Sequence, residues 1–275
     1  MSSGTLTVVG TGIQLGQMSI QASSFIKESD KVLYLVTDPV TSDWIEENSK
    51  DCEPLNDLYS TDKDRLTSYL EMVERIMKHV RNGLHVCAVF YGHPGVFVLP
   101  SHEAIRRARQ EGYQAVMLPG VSAEDCLFSD LGIDPATSGC QSFEATDFLV
   151  HRRRFDPNSH LIIWQIGVIG DIGYKERYGL EGLRVLVDVL GQEYGLEHEV
   201  VVYEAARYVV CDPSIRRIPL GRLADIEISP ISTLYVAPKQ DPVPDLDMIQ
   251  RLGIPMSYIK RKHEVILGGR VPSAV

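Results

Sequence analysis

The chain has 275 residues, of which 44% are hydrophobic and 23% charged, and a formal net charge of −10. This is the composition of a globular protein with a sizeable core, long enough for one large or two medium domains. The acidic balance argues against a nucleic-acid binder, and no apolar run approaches the ~20 residues that cross a bilayer. Residues 1–4 show no basic region before an apolar core, so no secretory signal is expected. Five scattered cysteines without a CxxC pair argue against a zinc or iron–sulfur site and fit a reducing cytoplasm.

Residues 4–10 predict a first strand rich in β-branched residues. A Gly10-Thr11-Gly12 turn closes it, and a helix is expected over 18–28. This βα unit lacks the dinucleotide fingerprint. Leu15 stands where the third glycine belongs, and Thr37 rather than an acid follows the second strand at 31–36, with Asp38 the nearest carboxylate. A short helix over 41–48 and an extended piece over 52–55 lead to a polar loop, 56–63, that carries Tyr59. Leu66, Tyr69, Leu70, Val73, Ile76, Met77 and Val80 recur at helical spacing and predict a long amphipathic helix over 64–82, stopped by Gly83. Arg65 and Tyr69, four apart, share one face of it.

The apolar run 85–90 reads as a buried strand. It is followed by Tyr91-Gly92-His93-Pro94-Gly95-Val96-Phe97 and by a helix over 101–110. Ligands of open α/β sheets bind beyond the carboxyl ends of strands. Two glycines and a proline at that place let backbone approach a ligand and hold one loop shape. A strand over 114–118 leads to a second such turn, Pro119-Gly120-Val121-Ser122-Ala123-Glu124, which opens a helix ending near Leu131. Ser122 is either a plain N-cap or a hydroxyl offered to a ligand.

Beyond Gly139, strand-like runs dominate at 141–150, 160–167, 200–205 and 233–237, with one clear helix over 180–194. A proline-rich stretch, 238–244, exits this region; a short helix over 245–252 and a basic-then-apolar tail follow. The basic clusters at 151–154 and 260–263 read as solvated surface or as a site for an acidic peptide. Domains are expected at 1–118, 119–240 and 241–275.

Gly10-Thr11-Gly12, Tyr91–Phe97, Pro119–Glu124 and Pro230-Ile231-Ser232-Thr233 occur in this order. Together they resemble the tetrapyrrole methylase superfamily of S-adenosyl-L-methionine-dependent methyltransferases, over residues 4–238. The resemblance implies two α/β domains of the tetrapyrrole methylase type, with the cofactor in the inter-domain cleft and S-adenosyl-L-homocysteine as product. Two loops depart from the tetrapyrrole-modifying branch. Gly10-Thr11-Gly12 replaces Gly-Pro-Gly, and Tyr91-Gly92-His93-Pro94-Gly95 replaces a Gly-Asp-Pro loop, which removes the carboxylate suited to a corrin or porphyrin.

These departures resemble the borosin peptide backbone N-methyltransferases. So do Leu131-Gly132-Ile133-Asp134-Pro135, Gln141-Ser142-Phe143-Glu144-Ala145, Trp164-Gln165, the run from His198 to Ala205, and Pro230–Leu234. The resemblance implies Tyr59, Arg65, Tyr69 and Tyr91 as catalytic residues, with Asn56 where some members carry a second loop tyrosine. It implies cofactor contacts from Tyr91, His93, Val96, Phe97, Ser122, Ala123, Gln165, Tyr203, Ser232 and Thr233, and no metal. His93 has an alternative role in fixing its own loop.

A peptide nitrogen is a poor nucleophile because its lone pair is delocalised into the carbonyl. Methylating it requires deprotonation or distortion of the amide. Tyr69 or Tyr59 is the expected base, and Arg65 either lowers its pKa or holds the amide oxygen. Residues 241–275 are short for a clasp plus a methylated segment. The expected arrangement is therefore the split one: a separate precursor peptide with a leader region, methylated in trans. The expected enzyme is a cytoplasmic homodimer, or a heterotetramer with the precursor, without nucleic acid or membrane, and the helix over 64–82 is a candidate dimer face. The competing expectations are automethylation of the apolar ending at 264–275, a tetrapyrrole or other small-molecule acceptor, and a non-catalytic cofactor-binding protein.

Overall fold

The computed structural model describes residues 4–175, 178–241 and 243–266. Its first sheet is built from β1 (Thr5–Gly10), β2 (Lys31–Leu35), β3 (Cys52–Pro54), β4 (His85–Phe90) and β5 (Gln114–Met117), in the order β3-β2-β4-β1-β5. Every pairing in it is parallel. Parallel sheets bury both faces, and alternate side chains divide accordingly. Leu6, Val8, Val86, Ala88 and Phe90 pack with Met72, Val73 and Ile76 of α3 (Arg65–Arg81) and Ala104 of α4 (Leu99–Gln110). Val9, Val32, Cys87 and Val89 pack with Ala22 and Ile26 of α1 (Ile20–Glu28) and Ile45 of α2 (Pro39–Asn48). Because β4 lies between β2 and β1, the loops leaving β4, β1 and β5 emerge side by side at one end of the sheet.

The second sheet takes β6 (Cys140–Glu144), β7 (His160–Trp164), β8 (Glu199–Glu204), β9 (Ser214–Pro219) and β10 (Thr233–Val236), in the order β6-β7-β10-β8-β9. β6 and β7 are parallel; the other pairings are antiparallel. One face is covered by α6 (Ala145–Val150) and α7 (Glu181–Tyr194). Leu127 of α5 (Ala123–Leu131) packs on the other, against Trp164 and Tyr203. α8 (Leu246–Arg251) and α9 (Met256–Ile266) follow. No helix among the described residues is long and apolar enough to cross a membrane.

Several expected elements differ in the structure. The run 141–150 is not one strand. The Glu144 carboxylate accepts the backbone N–H groups of Thr146 and Asp147 at 2.9 and 2.7 Å and starts α6, so a local cap overrides the β pattern. The run 160–167 stops at Trp164, where Gln165 takes φ +58° and a 3₁₀ turn, Ile166–Val168, begins. α4 starts at Leu99, two residues before the expected start, with Pro100 in its first turn. β9 and α9 were not expected from sequence. Residues 267–275 of the expected apolar ending lie outside the described residues.

The helix expected over 64–82 is α3, but its apolar face is not free to pair with a second copy. Met72, Val73, Ile76, Met77 and Val80 are fully buried in the first core, leaving Leu66 and Leu70 as its exposed large apolar residues.

Candidate active-site cleft

The glycines in the three loops are explained by how closely the loops approach one another. A Cβ on Gly10 would stand 2.2 Å from the Gly92 carbonyl oxygen and 2.7 Å from Pro94 Cδ. One on Gly120 would stand 3.1 Å from the same oxygen. Gly12 and Gly92, at φ +74° and +70°, join in an isolated bridge in which the Gly92 N–H donates to the Gly12 carbonyl at 2.8 Å. The loops after β1, β4 and β5 are therefore one interlocked unit. His93 helps hold it: its Nδ1 accepts the Gly95 N–H at 2.9 Å, so the neutral ring carries its proton on Nε2.

This unit faces the second sheet across a cavity of about 260 Å³. Of the residues implied by resemblance, Tyr59, Tyr69, Tyr91, His93, Val96 and Phe97 line it from the first sheet, Ser122 and Ala123 from the start of α5, and Gln165, Tyr203 and Thr233 from the second sheet. Arg65 and Ser232 do not line it. The Ser232 side chain is fully buried, and its hydroxyl donates to Glu204, which also accepts from Ser229. Arg65 lies beside the tyrosines, its Nη2 donating to the Gly173 carbonyl at 3.3 Å. Asn56 does not line the cavity; its side chain donates to the Val36 carbonyl at 3.3 Å.

Two of the lining residues are strained. Phe97 and Gln165 have φ of +56° and +58°, the left-handed region that side chains rarely adopt. Such outliers concentrate at functional sites, where surrounding structure imposes them. Phe97 packs at 5.6 Å on Trp164, whose indole N–H donates to Ser142 at 2.6 Å. Ser142 in turn donates to Glu124 at 3.1 Å, and burial pushes that carboxyl up. Trp164, Ile13, Thr37, Arg207, Pro230 and Ile231 also line the cavity, and sequence reasoning did not assign them to the site. Trp164 had a usable signal, adjoining Gln165 at a strand end; Arg207 lies in an irregular loop and had none.

Other hydroxyls are already committed. Tyr203 presents its ring, while its hydroxyl donates to Asp130 at 2.6 Å. Ser122 is the N-cap of α5, accepting the Asp125 N–H at 3.3 Å and donating to the Asp125 carboxylate at 2.7 Å. Ser122→Ala is expected to cost about 1 kcal/mol of stability, read from thermal unfolding.

The tyrosines form the polar end of the cleft. The Tyr59 and Tyr69 rings meet edge-on at 6.3 Å. Burial pushes both phenols up, and the Arg65 guanidinium opposes it at both. Tyr91 leaves 42% of its surface exposed, yet enclosure of its phenol, reinforced by Tyr69, pushes it up too. Among the described residues no group of three or more His, Cys, Asp or Glu is arranged to hold a metal.

The profile of the tetrapyrrole (corrin/porphyrin) methylase family matches residues 5–208. Over 270 residues the chain is 46% identical to a Dendrothele bispora protein named as a methyltransferase and ribosomally synthesized cyclic peptide dendrothelin A precursor, covering 96% of this chain and 65% of that one. It is 45% identical over 275 residues to the omphalotin A counterpart of Omphalotus olearius, covering 98% and 63%. It is 46% identical over 244 residues to a methyltransferase and type I borosin cyclic peptide precursor of Coprinopsis marcescibilis, covering 86% and 62%. The chain thus spans less than two thirds of these relatives' length.

Among solved structures, uroporphyrin-III C-methyltransferase from Thermus thermophilus matches with a TM-score of 0.60 at 16% identity, covering 86% of this chain and 93% of that one. Cobalt precorrin-4 methyltransferase matches with a TM-score of 0.59 at 16% identity, covering 86% and 96%. At such identities the shared property is the fold. With the family profile spanning most of its length and the two α/β layers in place, the chain belongs to the tetrapyrrole (corrin/porphyrin) methylase family.

Proposed function

We propose that this chain is an S-adenosyl-L-methionine-dependent methyltransferase that methylates backbone amide nitrogens of a ribosomally made peptide and releases S-adenosyl-L-homocysteine. The observation that carries this reading is the Tyr59–Tyr69 pair, with Arg65 beside it, opening onto the same cavity as the interlocked glycine loops. It is supported by the 46% identity to a relative named for both a methyltransferase and a cyclic peptide.

The lining fits the cofactor. The interlock of Gly10, Gly92 and Gly120 holds the loop whose His93, Val96 and Phe97 line the cavity, and the Phe97 and Trp164 rings suit a nucleoside. When bound, S-adenosyl-L-methionine supplies a methyl group on a sulfonium. Tyr91, His93, Val96, Phe97, Ala123, Gln165, Thr233 and the Tyr203 ring form its walls. Ser122 and Ser232 act indirectly, one by capping α5 and the other by holding Glu204.

At the acceptor, Tyr69 is the base. The Arg65 guanidinium, one helical turn before it on α3, favours its phenolate against burial, and Tyr59 is assigned the protonated role. Tyr69, as phenolate, would take the amide N–H proton and so leave on the nitrogen the electron pair needed to accept the cofactor's methyl group. Charge developing on the amide oxygen is met by the protonated Tyr59 and Tyr91 hydroxyls. Arg65 lies outside the cavity lining, so its role runs through the Tyr69 phenolate rather than the amide oxygen.

The peptide is proposed to be a separate precursor with a leader, bound in trans by a homodimer. The relatives' names join methyltransferase and precursor, which makes action on the chain's own polypeptide the competing arrangement. Tandem mass spectrometry after co-expression with a candidate precursor separates the two. Methyl increments on backbone nitrogens of the precursor are expected. Increments on the chain's own residues would replace trans by cis action. None on either, with S-adenosyl-L-homocysteine bound, would overturn the peptide reading in favour of a small-molecule acceptor.

A further inference from the structure

The acceptor end of the cleft is not built by the first sheet alone. After β7 the chain leaves the second sheet and crosses to α3. The Ile172 carbonyl accepts the Arg65 backbone N–H at 2.7 Å, and Gly173 forms an isolated bridge with Asp64. The Gly173 carbonyl also accepts from the Arg65 guanidinium at 3.3 Å. One residue further on, the Tyr174 ring stacks on Tyr59 at 5.7 Å with an interplanar angle of 26°. Tyr59 in turn meets Tyr69 edge-on. The segment is closed on itself by an ion pair between Lys175 and Asp171.

This crossing is poorly explained as core. Tyr174 is 50% exposed and Ile172 80% exposed, so little apolar area leaves water when they dock. Their specific partners are instead Tyr59 and Arg65, two of the groups assigned to the acceptor. The χ2 torsion of a tyrosine is broad and roughly two-fold, so packing on the face of the ring narrows its orientation. Tyr174 packs on Tyr59 in a stacked arrangement, whereas the Tyr69 contact is edge-on.

We infer that Tyr174 is a positioning residue: through its stack on Tyr59 it sets the orientation of the Tyr59–Tyr69 pair, while the carbonyls before it hold Arg65. This inference rests on the methyl-transfer reading above. It makes acceptor chemistry depend on a contact between the two domains through residues 172–174. Cofactor binding and methyl transfer are then separable by substitution.

The test uses the full chain carrying Tyr174→Ala, Tyr174→Leu or Tyr174→Phe. Each is measured for peptide methylation, for S-adenosyl-L-homocysteine affinity by calorimetry and for thermal unfolding. Ala and Leu, which remove the aromatic face, are expected to lower kcat by about tenfold to a hundredfold, the scale for a misplaced reacting group. Cofactor-product affinity stays at the wild-type value. Phe, which keeps the stack, restores the wild-type rate. A wild-type kcat in both Ala and Leu variants would overturn the inference. So would a Phe variant as slow as Ala, because the hydroxyl rather than the stack would then matter. Loss of affinity and melting temperature in parallel with rate would reduce Tyr174 to a structural contact and equally overturn it. Absence of peptide methylation by the wild type would instead remove the functional reading itself.

Discussion

Tyr69→Phe is expected to lower kcat on a peptide acceptor by about 10²–10⁴-fold, the usual contribution of a positioned general base. Its affinity for S-adenosyl-L-homocysteine should not change, because the ring still fills its place in the cavity lining. Tyr59→Phe tests the division of roles. It removes one of two donors to the amide oxygen, and it is expected to cost less than Tyr69→Phe. The pH dependence follows from the sign of the shift. Burial holds the Tyr69 phenol above its ordinary value of about 10, so the phenolate is the minor species at neutrality. The wild-type kcat is therefore expected to rise as pH increases from neutrality toward the alkaline range. The Tyr69→Phe variant should lack this rise. A variant with full rate and an unchanged pH profile would remove Tyr69 from the chemistry.

Gly10→Val is expected to abolish binding of S-adenosyl-L-homocysteine and to destabilise the chain. The new Cβ would stand 2.2 Å from a backbone oxygen, that of Gly92, and 2.7 Å from the Pro94 ring. Neither neighbour is the loose end of a flexible side chain, so the loops after β1 and β4 must separate. Overpacking of this kind costs about 1–3 kcal/mol, which lowers the melting temperature of a chain this large by roughly 2–4 °C per kcal/mol. The separation also moves His93, Val96 and Phe97, which line the cavity from the same loop. Gly16→Ala is the matched control. A Cβ there has nothing within 4 Å, and both stability and binding are expected to stay at the wild-type value. Wild-type affinity in Gly10→Val would show that the interlock does not shape the cofactor end.

The parts legible in the sequence share a physical reason. β4 is buried on both faces from Val86 on and therefore reads as the unbroken apolar run Val86–Phe90. α3 must bury one face and keep another wet, so its apolar residues fall at helical spacing. The glycine loops were visible because close backbone approach leaves room for no other residue. What escaped depends on contacts distant in sequence. β9 is an edge strand whose residues are mostly exposed, so nothing forces an alternating pattern.

The split between β6 and α6 hangs on one carboxylate finding two backbone N–H groups. Ser232 looked like a cofactor ligand beside Thr233, yet its hydroxyl points to Glu204, a residue 28 positions earlier. Arg65 and Tyr69 were expected on one helix face. They do stand one turn apart on α3, but the carbonyls that hold the Arg65 guanidinium and backbone N–H belong to a segment more than a hundred positions later. Tyr174 lies in that segment, which has no periodicity to mark it.

The most direct measurement incubates purified wild-type and Tyr69→Phe protein, side by side, with methyl-labelled S-adenosyl-L-methionine and a precursor peptide. Tandem mass spectrometry then locates the label. Label on backbone nitrogens with the wild type, and its near absence with Tyr69→Phe at equal S-adenosyl-L-homocysteine affinity, is the expected result. Label on a side chain, equal labelling by both proteins, or labelling of a tetrapyrrole in place of the peptide would contradict amide methylation by the tyrosine pair.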